Sequence, residues 1–285
     1  MDYCGYAIRE CSFTYERAGF NTDPSYRGAN IRTKVLKKEN YLRRIDSALT
    51  PEYQLRRDIV EVGRRLWIRG YVAANDGNIS VRLGPDDFLC TPTGVSKGFM
   101  TPEMLIRVDS RGAVKAGDFK PSSEIKMHLA VYHDRPDVGA VVHAHPPIST
   151  AFAVAGVPLS KCVLPEVILT LGQIPLVEYG TPSTDEIPRA IAKYLKDHNA
   201  FLLENHGALT LGADVFQAYY RMETMEHFAL ISLAARQLGG ERELPPDRIN
   251  QLMEIRSKLG LTDVHPGCRS SEATGSSTSA PTLTG

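Results

Sequence analysis

Apolar residues fall into short blocks along this chain, and their spacing within each block separates helix from strand. In SSEIKMHLAVYHDRP, Ile125, Leu129 and Tyr132 recur at helical intervals and share one face. VGAVVHAH is instead a continuous apolar run closed by imidazoles, the pattern of a buried strand. NISVRL and DFLCTP read as short strands flanking a Gly-Pro-Asp-Asp turn, AFLLENHGALTLG as two strands joined by a tight turn, and QIPLVEY as a further strand. TPEYQLRRDIVEVGRRLWIRG carries Thr50 as N-cap, Pro51 at the first helical position and Gly70 as terminator. PISTAFAVAG, a capped TDEIPRAIAKYLKDHN, a long amphipathic ADVFQAYYRMETMEHFALISLAARQLGG closed by glycines, and PPDRINQLMEIRSKLG complete the helices.

Helices and strands interleave, yet several strands are joined by short turns. The fold class that follows is α/β in the α+β sense: one domain over residues 50–262, with a central, mostly antiparallel sheet flanked by helical layers. Residues 1–49 are polar and dotted with aromatics, and read as an N-terminal extension with a short helix near 33–45. Residues 263–285 end in SSEATGSSTSAPTLTG, which is too poor in apolar side chains to offset chain entropy, and are expected to form a disordered tail.

Composition narrows the partners. Over 285 residues, 33 lysines and arginines balance 33 aspartates and glutamates, so no global field recommends a nucleic acid or an anionic membrane. No apolar run approaches the roughly 18 residues that a bilayer span requires. Cys4, Cys11, Cys90, Cys162 and Cys268 are odd in number and scattered without a C-x-x-C, which argues against a disulfide framework or a cysteine zinc site. A reduced, cytoplasmic setting is the expectation.

The chemistry concentrates in three distant strings. Side chains at i and i+2 of a strand share a face, so His143 and His145 present both imidazoles to one side. They are either two metal ligands on one rigid element or solvent-facing strand-end histidines. His206, in the ENHGA turn, would complete a three-histidine set with an open position, as in catalytic zinc sites; otherwise it bonds to nearby carbonyls. In KPSSEIK, Ser122 is a plausible N-cap and Glu124 falls in the first helical turn, where the helix dipole favours a carboxylate and where any stable helix would place one. TPTGVSK and ANDGNIS are loops of hydroxyls, amides and glycine, suited to turns and equally to phosphate capture. Neither G-x-x-x-x-G-K-[ST] nor G-x-G-x-x-G is present, so ATP and dinucleotide binding have no support.

The ordered strings GNISVR, TPTG, PSSE, HAHPP and ENHG resemble the class II aldolase/adducin family over about residues 52–260. That resemblance implies a zinc ion on His143, His145 and His206, with Glu124 as fourth ligand and as acid/base. It also implies a phosphate site of Asn78, Thr93, Gly94, Ser122 and Ser123, and a homotetramer with active sites between neighbours. The implied activity is reversible cleavage of a ketose 1-phosphate, such as L-fuculose 1-phosphate or a related deoxypentulose phosphate, to dihydroxyacetone phosphate and an aldehyde. Dehydratase, decarboxylase or epimerase chemistry on the same metal site, and a non-enzymatic adducin-like scaffold, are the alternatives. Two departures bear on this. Cys162 stands where the family's aldolases carry a tyrosine that protonates the leaving aldehyde, and Leu259 stands in place of a second tyrosine. Glu166, in VLPEVIL, is a candidate replacement acid or a plain structural glutamate.

Overall fold

The computed structural model describes residues 50–269. The helix expected near 33–45 and the end of the tail, residues 270–285, lie outside the described residues. The described chain runs α1 (Pro51–Ile68), β1 (Asn78–Gly84), β2 (Asp87–Cys90), β3 (Ile106–Val108), β4 (Val114–Ala116), α2 (Ile125–Asp134), β5 (Ala140–Ala144) and α3 (Pro147–Val154). It continues through α4 (Pro165–Thr170), β6 (Leu176–Val177), α5 (Glu186–Ala192), β7 (Ala200–Leu203), β8 (Gly207–Gly212), α6 (Val215–Gln237) and α7 (Pro246–Lys258).

All eight strands form one sheet in the order β4-β3-β2-β1-β5-β8-β7-β6. Every neighbouring pair is antiparallel except β6 with β7. Strand alternation divides the core between the two faces. Ala140, Val142 and Ala144 of β5 pack with α1, α3, α4 and α6 through residues such as Ile59, Phe152, Val167 and Met222. Val141, Leu209 and Leu211 face the other way, onto Ile125, Leu129 and Tyr132 of α2 and Ile187 and Ile191 of α5. The α/β architecture expected from the pattern is the one observed.

Local chemistry accounts for the main helices. Thr50 Oγ1 accepts from the Tyr53 amide at 3.3 Å, ahead of Pro51. The Asp214 carboxylate accepts from the Gln217 amide at 2.8 Å and opens α6. Arg82, on β1, donates to the carbonyls of Tyr132, Arg135 and Val138 at 2.7, 3.1 and 3.0 Å. Those bonds satisfy the orphan acceptors at the carboxyl end of α2 and fix that helix on the sheet.

Several expectations need correction. Ser122 does not cap α2: Glu124 occupies the N-cap position, before the first helical turn, and makes no side-chain cap bond. Ser122 instead accepts from the Glu124 amide at 3.3 Å, which leaves the carboxylate free to point elsewhere. β6 shrinks to two residues at the sheet edge, with Pro175, which has no amide to donate, immediately before it. α5 stops at Ala192, after which i→i+3 bonds such as Tyr194 N to Ile191 O tighten the chain into turns. α4 is a short helix that the apolar pattern does not announce.

The cysteine reading also changes. Cys162 and Cys268 form a disulfide across 106 residues of sequence, buried against Ile168 and Ile249. Their approach depends on how α4, α7 and the C-terminal segment pack, which residue spacing does not encode. Beyond residue 262, Asp263 pairs with Arg221 and Arg256, and the carbonyls of Val264 and Gly267 accept from Asn199 Nδ2 and the Gln173 amide. Asp263, Val264, Gly267 and Cys268, at the start of the expected tail, are therefore tied to the domain by these contacts.

Candidate metal centre and substrate cavity

Five segments converge at one end of the central strands. Asn78 opens β1 and lies opposite His143 in the β1–β5 register. His145 follows the last residue of β5, and its amide donates to Tyr71 O at 2.9 Å. The chain then turns into α3, whose first amides, Ile148 and Ser149, donate to the buried Glu226 carboxylate at 2.9 and 2.7 Å. His206 sits in the turn between β7 and β8, after Asn205 in the left-handed region at φ 53°.

Two glycines make the convergence possible. A Cβ at Gly207 would stand 2.6 Å from His145 Cδ2 and 2.7 Å from Ala144 O. Gly77, at φ 71°, lies where a Cβ would meet His143 O at 2.8 Å.

The three histidines each bring a ring nitrogen into one group whose atoms lie within 4.8 Å of one another. Glu124 closes it, with Oε2 3.4 Å from His143 Nε2 and Oε1 3.1 Å from His206 Nε2. Tautomers follow from the outer partners. His143 Nδ1 lies 2.9 Å from Ala208 O and must donate to it, leaving a lone pair on Nε2. His145 Nδ1 faces Asp76 Oδ2 at 3.6 Å, and its Nε2 lies 3.1 Å from His143 Nε2, to which it donates when it carries the ring proton. With the proton on Nδ1 instead, towards Asp76, both Nε2 lone pairs turn to the same space and can share a cation. His206 Nδ1 and Glu124 Oε1 are buried without a hydrogen-bond partner. The donor set, neutral imidazoles with one carboxylate, fits a divalent transition metal with a position to spare.

Electrostatics agree. Burial pushes the His143 imidazolium down to about 3, against the pull of Glu124, so the ring is neutral and able to ligate. His145 is lowered too, by burial first and then by His206. For Glu124, burial works against the charge, but His143, His206 and the Asn78 amide, which donates to Oε2 at 2.7 Å, hold the carboxyl well below the usual range.

Beside this group opens a polar cavity of about 180 Å³, lined by Asn78, Thr93, Ser122, Ser123, Glu124 and His145, and also by Asp76 and Lys97. The expected phosphate residues therefore gather at one place, except that Gly94 bends the loop at φ 70° without lining the space. Glu166 is not brought there. It lines a separate depression of about 670 Å³ with Arg69, Tyr71, Glu223 and Glu226. Cys162 is consumed by its disulfide, and Leu259 is an exposed C-cap of α7.

Sequence reasoning missed Asp76, Lys97 and a buried Ser80–His128–Tyr132 cluster behind Glu124. Asp76 and Lys97 lay within the two loop strings already singled out, but only the placement of their side chains gives them a role.

Residues 57–233 match the Class II Aldolase and Adducin N-terminal domain, and the chain belongs to that family. It is 33% identical over 210 residues to the 3-oxo-tetronate 4-phosphate decarboxylase of Escherichia coli (strain K12), covering 72% of this chain and 97% of that one. It is 34% identical over 181 residues to an L-fuculose phosphate aldolase of Methanococcus maripaludis, covering 64% and 97% respectively. Among solved structures, YgbL from Klebsiella pneumoniae superposes with a TM-score of 0.65 at 34% identity, over 71% of this chain and 99% of that one.

Proposed function

We propose that the protein is a zinc-dependent lyase that decarboxylates a 3-oxo sugar-acid phosphate of the 3-oxo-tetronate 4-phosphate kind, giving dihydroxyacetone phosphate and carbon dioxide. Family membership and the histidine cluster support a metal-dependent enzyme acting on sugar phosphates. The finer choice rests on one observation: Cys162, where the family's aldolases are expected to hold their tyrosine, is locked in a disulfide and can neither take nor give a proton.

That difference is chemical. Aldol cleavage and decarboxylation of these substrates leave the same enediolate of dihydroxyacetone phosphate. In the first the departing group is an aldehyde whose oxygen must exchange a proton with the enzyme. In the second the bond to the carboxyl carbon breaks, its electron pair moves into the neighbouring carbonyl, and carbon dioxide leaves without needing an acid. A bound divalent ion would supply Lewis-acid stabilisation of that negative charge.

The chain's own residues do the remainder. His143, His145 and His206 would hold the ion, and Asn78 orients Glu124 through the 2.7 Å bond to Oε2. Glu124, ionised at rest, would take a proton from solvent and pass it to the carbon that loses the carboxyl group. Thr93, Ser122 and Ser123 with Asn78 would hold the phosphate, and so the reacting carbons, in place, with Gly94 shaping the loop that carries Thr93. The family's tetrameric assembly, with active sites between neighbours, is part of the same proposal.

A second reading, aldol cleavage of L-fuculose 1-phosphate or a deoxypentulose phosphate, draws on the 34% identity to the archaeal aldolase. One experiment separates the two. Metal-loaded protein is given 3-oxo-tetronate 4-phosphate and, separately, L-fuculose 1-phosphate, and carbon dioxide and dihydroxyacetone phosphate are measured. Carbon dioxide release in step with dihydroxyacetone phosphate is the expected result. Turnover of L-fuculose 1-phosphate alone would replace decarboxylation with the aldolase reading.

A further inference from the structure

Lys97 is 1% exposed, yet it lines the polar cavity and is the only lysine or arginine among the described residues to do so. Its backbone is seated by two glycines. A Cβ at Gly63 of α1 would stand 2.5 Å from Lys97 O, and one at Gly98 would stand 2.5 Å from the Trp67 ring. The side chain is equally fixed, with Nζ donating to Asn75 O at 2.9 Å and to Val95 O at 2.6 Å. An ammonium has three N–H groups, so one is uncommitted. No carboxylate lies within ion-pair distance of Nζ among the described residues, and Asp76 acts on it only from further away.

A buried charge without a counter-ion is unfavourable. If stapling the two loops were its whole role, a neutral donor would do it without that burden. The charge makes sense when the cavity fills. Asn78, Thr93, Ser122 and Ser123 offer hydrogen bonds but no charge, and the acidic groups lining the same space, Asp76 and Glu124, repel an anion. A phosphate dianion entering there meets one fixed cation.

We infer that Lys97 is the electrostatic partner of the substrate's phosphate, its third N–H completing the neutral donor set around it. The inference rests on reading this cavity as the phosphate site. It fits the state of the amine: burial pushes Lys97 down to about 8, opposed by Asp76, so near neutral pH the side chain is still mostly an ammonium, and an incoming anion would reinforce that charge.

The test uses full-length, metal-loaded protein and inorganic phosphate as the probe, with binding followed by calorimetry. Lys97→Met should retain its metal and weaken phosphate binding by about tenfold or more, the loss of one charge-assisted hydrogen bond. Lys97→Arg should recover most of that loss. With phosphorylated substrate, KM should rise in Lys97→Met far more than kcat falls, which disruption of the loops alone would not produce.

Asn78→Ala and Ser123→Ala are measured alongside. If they weaken phosphate binding while Lys97→Met stays within about twofold of wild type, this inference fails and the phosphate site stands. If none of the three weakens it, the phosphate site itself is wrong. Should Lys97→Met not fold, a crystal structure of the wild type with phosphate decides. A phosphate oxygen in hydrogen-bond range of Nζ supports the assignment, and Nζ bonded only to its two carbonyls overturns it.

Discussion

His128 Nδ1 lies 2.7 Å from Ser80 Oγ, which in turn lies 2.9 Å from the Tyr132 hydroxyl, and the opposite ring nitrogen, Nε2, is buried with no partner. A protonated ring there would have an N–H with nothing to receive it. Burial accordingly pushes His128 down to about 4, against the attraction of Glu124.

This sets a direction for stability against pH. Above the ordinary histidine range both folded and unfolded chains carry a neutral ring, and nothing is lost. As pH falls from about 6.5 towards 4, the unfolded chain takes up a proton that the folded chain refuses, so stability drops by roughly 3 kcal/mol in all. Denaturant midpoints of the metal-free protein should therefore fall steeply between pH 7 and 4.5. His128→Asn, which keeps an acceptor near the Nδ1 position, should flatten that slope. His143, pushed down to about 3, would sustain the part that remains.

Metal binding should track the ring nitrogens. His143→Ala and His206→Ala should each leave little bound metal by elemental analysis. Asp76→Asn, which loosens the 3.6 Å partner of His145 Nδ1 without removing a ligand, should weaken affinity by about 10–100-fold. Saturating metal should raise the melting temperature of wild type, since ligand at 100 times its Kd stabilises a fold by about 2.7 kcal/mol, and should not do so for His206→Ala.

Glu124→Gln keeps the size of the side chain and an oxygen for the metal but cannot carry a proton in turnover. It should hold most of its metal and lose activity by about 10²–10⁴-fold, the usual contribution of a positioned acid or base. Activity near that of wild type would remove Glu124 from the chemistry.

Reduction of the Cys162–Cys268 bond, or Cys162→Ser with Cys268→Ser, should destabilise the domain by about 2–4 kcal/mol because a long loop is released. Metal content should not change, since neither sulfur touches the histidine group. Non-reducing and reducing thermal melts, run with elemental analysis, would show both.

How much of this was legible in the sequence divides along physical lines. The helix over 51–68 and the strand before His143 were legible because capping and apolar runs are local properties. The facing of His143 and His145 followed from strand alternation, and Asn78, Ser122, Ser123 and Glu124 from the order of short strings. Ser122 was misjudged because a serine before a helix can bond to the chain in more than one way. The disulfide and the place of Glu166 depend on packing between distant elements. Lys97 was hidden for a similar reason: a lysine at the end of a Gly- and Ser-containing loop ordinarily points into water, and only the close approach of α1 at Gly63 turns it inward.

The contact between Gly207 and the two histidines bears on how such a centre can change. With backbone pressed to within 2.6 Å of where a side chain would begin, the ground around the ring nitrogens leaves no room for another residue, and the strands that carry them are locked in register. Gly207→Ala would have to push His145 aside before anything else could adjust. The polar cavity alongside is less constrained: Thr93, Ser122 and Ser123 line open space, so what enters can change while the interior stays as it is. A chemist wishing to redirect this protein would begin at those lining side chains and leave the imidazoles alone.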